Sequence, residues 1–228
     1  MKYIIIGLGN FGSAMAVNLT ESGHEVMGVD IDINRVEALK EKVTHTVALD
    51  ATDASVVEEL PLNETDRVVI AIGEDISANV MASAVFKQLK VKYLACRAIS
   101  SIHQTILEAM NVDVVINPEN EAATKWSIKL AMKGVQDVHY LTGPFYVIEI
   151  SVPSKMVDKT LEELNLTENY NVLVLTTFTP REGINPLGAF KEDVIVNKIA
   201  DPETVLNEDD IMVIYGNIKD IRKMLSDY

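Results

Sequence analysis

Three glycines near the start of the chain stand in the run Gly7-Leu8-Gly9-Asn10-Phe11-Gly12. The apolar run Tyr3–Ile6 precedes them, and Phe11, Met15 and Leu19 follow at helical spacing. Such a turn suits the holding of a phosphate. The first glycine permits a tight turn, the second lets the backbone approach a pyrophosphate, and the third lets helix pack on strand. The helix then points free N–H groups and the positive end of its dipole at the anion. The spacing alone is a weak sign, because glycines that only shape a turn would read the same. Its context strengthens it. Glu25–Val29 reads as the next strand, and Asp30 ends it 18 residues after Gly12. An acid there is placed to accept hydrogen bonds from ribose hydroxyls and to repel a 2′-phosphate.

Further candidates fall at the same carboxyl edge, where open α/β sheets bind ligands. Asp50, with Ala51, follows the third strand, and Ile72-Gly73 closes the fourth. Asp50 either reaches an adenine amino group or caps the helix near Asp53. Arg97 ends a strand that otherwise reads as core, so a phosphate or ribose contact and a plain ion pair both fit. Catalytic groups are harder to find. His24, His45, His103 and His139 are scattered without metal or triad spacing and read as surface or turn residues. Tyr215 and Lys219 match a dehydrogenase pair only by chance spacing, and Lys159-Thr160 lacks a kinase-type glycine loop. A nucleotide site with no chemistry beside it points to a sensor.

The elements that must position these residues alternate. Strands at Tyr3–Ile6, Glu25–Val29, Thr46–Ala48, Arg67–Ile72, Tyr93–Arg97 and Asp113–Ile116 enclose five helices. Runs such as Val68-Val69-Ile70-Ala71-Ile72 lack polar alternation, as strands covered on both faces do. The expected fold is α/β: a Rossmann-like, doubly wound parallel sheet over 1–120. A crossover helix follows in 121–137, then a small α+β subdomain over 138–228. The helix, about Glu121–Val135, carries two apolar stripes, one through Trp126 and Leu130 and one through Ile128 and Met132. Two such stripes call for burial against two things, the sheet domain and a second domain or subunit. In the subdomain, Phe145–Val152, Val172–Phe178, Ile211–Tyr215 and, more weakly, Val194–Lys198 read as strands. Asp158–Leu164 and Asn217–Leu225 read as helices, and Pro180–Lys191 reads as a long open loop.

Composition narrows the partners. The 228 residues carry a formal charge of −14, shared by both halves, with 9 basic and 17 acidic residues in 1–120. That opposes a grip on nucleic acid or on anionic lipid. One cysteine, Cys96, suits a reducing cytoplasm, and no apolar run approaches a membrane span. Lys2, Tyr3–Ile6 and Ala14-Met15-Ala16 loosely imitate a signal peptide, but the nucleotide unit explains the same residues better.

The run Ile4–Ser13, with Val29-Asp30-Ile31-Asp32, Val69–Gly73, Ala95-Cys96-Arg97-Ala98 and Val114–Glu119, resembles the RCK (regulator of potassium conductance) family. Its TrkA- and KtrA-like members are cytosolic subunits of bacterial potassium uptake systems. Lys159–Leu164, Pro202–Leu206 and Asp209–Gly216 resemble, more loosely, the family's C-terminal subdomain. The resemblance implies a non-catalytic regulator that binds an adenine nucleotide (ATP, ADP or NAD(H)) and gates a membrane potassium-translocating subunit. It implies dimers assembling into a ring, an octamer by analogy, lying in the cytoplasm against the inner face of the membrane. Glu119 matches a glutamate that in KtrA-like members sits near the phosphates and a divalent cation at the dimer interface. An acid at a helix N-terminus would read the same. Asn10 stands where such members often carry an arginine that reaches a phosphate across the dimer, so no strong ATP preference is implied. Some relatives bind cyclic di-AMP in the C-terminal subdomain, for which no decisive pattern stands here. The alternative is a small NAD-dependent oxidoreductase, which needs a proton donor that the C-terminal half does not convincingly offer.

Overall fold

The computed structural model describes residues 1–184 and 190–228. The chain divides into two compact units, Met1–Glu119 and Asn120–Tyr228. In the first, strands β1 (Lys2–Ile6), β2 (Glu25–Asp30), β3 (His45–Ala48), β4 (Arg67–Ile70), β5 (Leu94–Arg97) and β6 (Val114–Ile116) alternate with helices. These are α1 (Asn10–Glu21), α2 (Ile33–Leu39), α3 (Ala54–Val57), α4 (Ile76–Gln88) and α5 (Ser101–Ala109). All neighbouring strands are parallel, in the order β3-β2-β1-β4-β5-β6. The order reverses at β1, the switch point where such sheets open a crevice.

Both faces of the sheet are covered, which explains the unbroken apolar runs. Ile4, Ile6, Ile70 and Phe86 pack on one side, and Ile5, Leu8, Val26 and Val69 on the other. Each such fully buried side chain contributes about 1.5–3 kcal/mol. Helix starts are fixed locally: Asp32, Asp53, Asp75 and Ser100 each accept a backbone N–H from the first turn of their helix. One histidine differs from its expected place. His103 is buried on the inner side of α5, one turn before buried Leu107, and its Nδ1 accepts the Ile99 N–H at 3.4 Å. Burial pushes its pKa below the ordinary histidine value.

The crossover helix, α6, runs Pro118–Ala131, earlier and shorter than 121–137. Pro118 suits a first helical position because the missing N–H has no intrahelical acceptor there. Gly134, at φ +83°, turns the chain into β7 (Val135–Thr142), a strand the sequence reading missed. Then come β8 (Phe145–Ser151), α7 (Leu161–Leu164), α8 (Leu166–Tyr170), β9 (Leu173–Ile184), β10 (Phe190–Ile199), β11 (Ile211–Asn217) and α9 (Ile218–Asp227). The sheet is antiparallel, ordered β10-β9-β11-β8-β7. Alternate residues of β8 and β11 are buried, so Ile148, Ile150, Met212 and Ile214 build its core with Ile128 of α6 and with Met132 just after it.

The expected open loop at Pro180–Lys191 is therefore wrong over most of its length. β9 continues to Ile184 and β10 starts at Phe190, because ladder pairing between them overrides the turn propensity of Pro180 and Gly183. Pro186 and Gly188 lie outside the described residues. Of the two apolar stripes of the crossover helix, the one through Ile128 lies in the core of the antiparallel sheet. Trp126 and Leu130 are 53% and 80% exposed in the single chain.

Candidate functional site

The glycine turn joins β1 to α1, and its three glycines are not equivalent. Gly7 has φ +92°, and a Cβ there would lie 2.9 Å from the Ile72 nitrogen. A Cβ on Gly12 would lie 1.8 Å from the Gly7 carbonyl oxygen, where α1 packs down on the sheet. The fold itself requires both. Gly9, the N-cap of α1, has φ −67° and ψ −171°, ordinary extended backbone. A Cβ on it would meet nothing nearer than Arg35 Nη1, at 3.8 Å. No contact within the protein demands glycine at this position, and its bare backbone faces open space.

Asp30 ends β2 with its side chain almost fully buried. One carboxylate oxygen accepts the Leu8 N–H at 2.6 Å and the other the Asp32 N–H at 2.9 Å. The carboxylate thus ties the glycine turn to the end of the next strand. A cavity of about 410 Å³ opens between these elements. Gly7, Gly9, Asp30, Asp50, Ala51, Ile72 and Gly73 all line it. Seven of the sequence-derived residues therefore meet in one place.

The other six do not line it. Leu8 turns into the core, Gly12 is buried under the turn, and Asn10 is exposed as the first residue of α1. Phe11, Arg97 and Glu119 form a cluster beside the cavity. The Arg97 guanidinium lies so close to Gly73 that a Cβ there would come within 2.5 Å of Nη1. It also sits 5.3 Å from the Phe11 ring centroid and is ion-paired with Glu119. Burial pushes the Glu119 carboxyl up, but its own backbone N–H and the Arg97 hydrogen bond outweigh that and hold it below the usual range. Asp50 does not cap α3, which Asp53 caps. Its Oδ1 accepts the N–H and hydroxyl of Thr52 at 2.9 and 2.7 Å.

Sequence reasoning missed two residues. Arg35, in the first turn of α2, lines the cavity and donates through Nη2 to Glu74 Oε1 at 2.9 Å. Its Nη1 lies 3.7 Å from Asp30 Oδ2. The signal was present: a cation three residues after the cap Asp32 is carried back one turn, toward the sheet edge. Among the described residues no group of three or more His, Cys, Asp or Glu is arranged to hold a metal ion. Glu119 is already paired with Arg97, so this chain alone does not form a cation site there. No helix among the described residues is long and apolar enough to cross a membrane.

Comparison with known proteins gives concordant matches. The model of the TrkA-N domain matches residues 3–118, and that of the TrkA-C domain matches residues 145–227. Ktr system potassium uptake protein C of Bacillus subtilis is 29% identical over 222 residues, covering 97% of this chain and 95% of that protein. Ktr system potassium uptake protein A of Vibrio alginolyticus is 30% identical over 215 residues, 94% and 92% of the two chains. Among solved structures, the GsuK RCK domain superimposes with a TM-score of 0.64 over 99% of this chain and 47% of that one. At 14% identity that likeness speaks for the fold.

Proposed function

Since the chain belongs to the RCK family of TrkA- and KtrA-like potassium-uptake subunits, we propose that it is a regulatory subunit, not an enzyme, which converts adenine-nucleotide occupancy of the β1–β4 crevice into activity of a membrane potassium-translocating partner. The observation that carries the reading is Gly9. A glycine that the fold does not need, at the mouth of a cavity beside a helix N-terminus, is accounted for by a phosphate that must approach its backbone. In this reading the phosphates lie along Gly7–Gly12, and the ribose hydroxyls donate to lone pairs of Asp30 left over from Leu8 and Asp32. The adenine extends toward Asp50 and Ala51. Relatives named as Ktr uptake proteins, and a GsuK channel solved with NAD, support the partner and ligand classes.

Assembly follows from α6. Trp126 and Leu130 form an exposed apolar stripe, which we assign to a second copy of the chain in a dimer that builds a ring. A divalent cation at Glu119 would have to displace Arg97 and draw further ligands from phosphates and the second subunit. The reading does not depend on it. The decisive experiment is calorimetric titration of the purified protein with ATP, ADP, NAD⁺ and NADH, followed by potassium flux through the reconstituted partner with and without the tightest binder. Saturable binding that changes flux is the expected result. Absence of binding by all four would overturn it.

A further inference from the structure

A nucleotide brings negative charge to a crevice that is itself negative. Asp30, Asp50, Glu74 and Asp75 line it, and Arg35 is the one cation among the described lining residues. Asn10, at the opening of α1, adds no charge. Among the described residues that line the crevice, attraction for phosphate therefore comes from the α1 N–H groups and from Arg35.

The Arg35 guanidinium is well placed to supply it. Nη1 stands over Gly9, 3.8 Å from where a Cβ would be, on the same bare backbone that a pyrophosphate would approach. The side chain is about a third exposed, and besides Glu74 it lies 3.7 Å from Asp30 and 3.9 Å from Asp32. Its closest partner, Glu74, follows β4, whereas Arg35 follows β2, and β1 lies between those strands. The ion pair thus spans the crevice over the strand that carries the glycine turn. Glu74 is 80% exposed, and that carboxylate loses little by returning to water.

Resting on the nucleotide reading above, we propose that Arg35 is a phosphate-contacting residue of this crevice and that Glu74 is the counter-ion it exchanges for the phosphates of a bound nucleotide. The guanidinium fork can pair two phosphate oxygens at once, as it cannot with the single Glu74 oxygen it now holds. Arg35 thereby supplies within one chain the positive charge that Asn10 does not. Glu74 acts as a competitor, holding the cation across the mouth and repelling the incoming anion.

The test is calorimetric titration of wild type, R35Q, R35K and E74Q with ADP and with adenosine, at low and high salt, with thermal melts to confirm folding. R35Q is expected to weaken ADP roughly tenfold or more, while adenosine changes less than about twofold, since it carries no charge for the fork to meet. R35K, which keeps the charge without the fork, falls between. E74Q is expected to tighten ADP about two- to fivefold, the scale of an exposed ion pair, and the gain shrinks with salt. Equal loss of ADP and adenosine in R35Q, or unchanged or weakened ADP binding in E74Q, would overturn the exchange. Wild type that binds ADP while the variants behave so leaves the nucleotide site standing. Wild type that binds no ADP removes that site, and the exchange with it.

Discussion

Alanine at Gly9 and alanine at Gly12 should have opposite consequences, although the two glycines belong to one motif. At Gly12 the added Cβ would sit 1.8 Å from the Gly7 oxygen and 3.0 Å from the Ala71 Cβ. Alanine's better helix propensity returns only about 1 kcal/mol. An overlap of that size with backbone cannot relax by rotamer change, so Gly12→Ala should cost about 3 kcal/mol or more. The first unit would then melt roughly 10 °C or more lower. At Gly9 the φ suits any residue and the space is open. Removing a glycine from the unfolded chain gains about 0.4–1 kcal/mol, and putting alanine at an N-cap loses a similar amount. Gly9→Ala should therefore leave stability within about 1 kcal/mol of wild type. It should nevertheless hold a phosphate off the α1 N–H groups. Each charge-assisted bond lost there is worth about 1.5–3 kcal/mol, so ADP affinity should fall roughly 10- to 150-fold. Thermal melts and ADP titrations of both variants give the comparison. A Gly9→Ala protein as unstable as Gly12→Ala, or one that binds ADP unchanged, would refute the assignment of Gly9 to a ligand.

Asp30→Ala should lose about 1.5–3 kcal/mol in urea unfolding, because the buried Leu8 N–H loses a charged acceptor, and ADP affinity should fall at least about tenfold. Asp30→Asn keeps one acceptor and should recover part of the stability; full stability in the alanine variant would show that the carboxylate does not hold the turn. Cys96 gives a pH dependence, since burial pushes its thiol from 9.0 up to about 11, with Ser83 pulling partly back. The folded value is the raised one, so this stability is fully present below pH 9 and is lost as pH rises through 11, about 2–3 kcal/mol in all. Urea midpoints should decline less steeply over that window in Cys96→Ala; parallel declines would refute it. Trp126→Asp should leave the subunit folded, since the side chain is half exposed, yet shift light-scattering mass to smaller species. An unshifted mass would mean that this stripe makes no subunit contact.

The first unit was legible because its physics is local. Strands buried on both faces leave continuous apolar runs, and Asp and Ser caps mark the helix starts that separate them. The second unit was less so. β7 pairs with β8 alone, most of its residues are exposed, and Gln136, Asp137 and His139 hide its period. In the crevice, the glycine spacing and Asp30 could be read because the chain itself sets their separation. The pairing of Arg35 with Glu74 could not, since they lie 39 residues apart and meet only because β1 inserts between β2 and β4. Arg97 and Glu119 also meet only through the fold, at the carboxyl ends of the directly paired strands β5 and β6.

That central position of β1 has a kinetic consequence. Its backbone is hydrogen-bonded to β2 on one side and β4 on the other, while β3 and β6 form the rims of the sheet and are only half covered. Rim amides exchange with solvent by local fraying, but the amides of Tyr3–Ile6 are released only when the whole unit opens. A ligand that binds only the folded unit slows such global opening by a factor of one plus its concentration over its Kd, and leaves fraying alone. Deuterium uptake in the β1 peptide, set against that at the rims, is then a gauge of how much nucleotide the crevice holds. It reads occupancy from behind the site, on a strand whose amides need not touch the ligand at all.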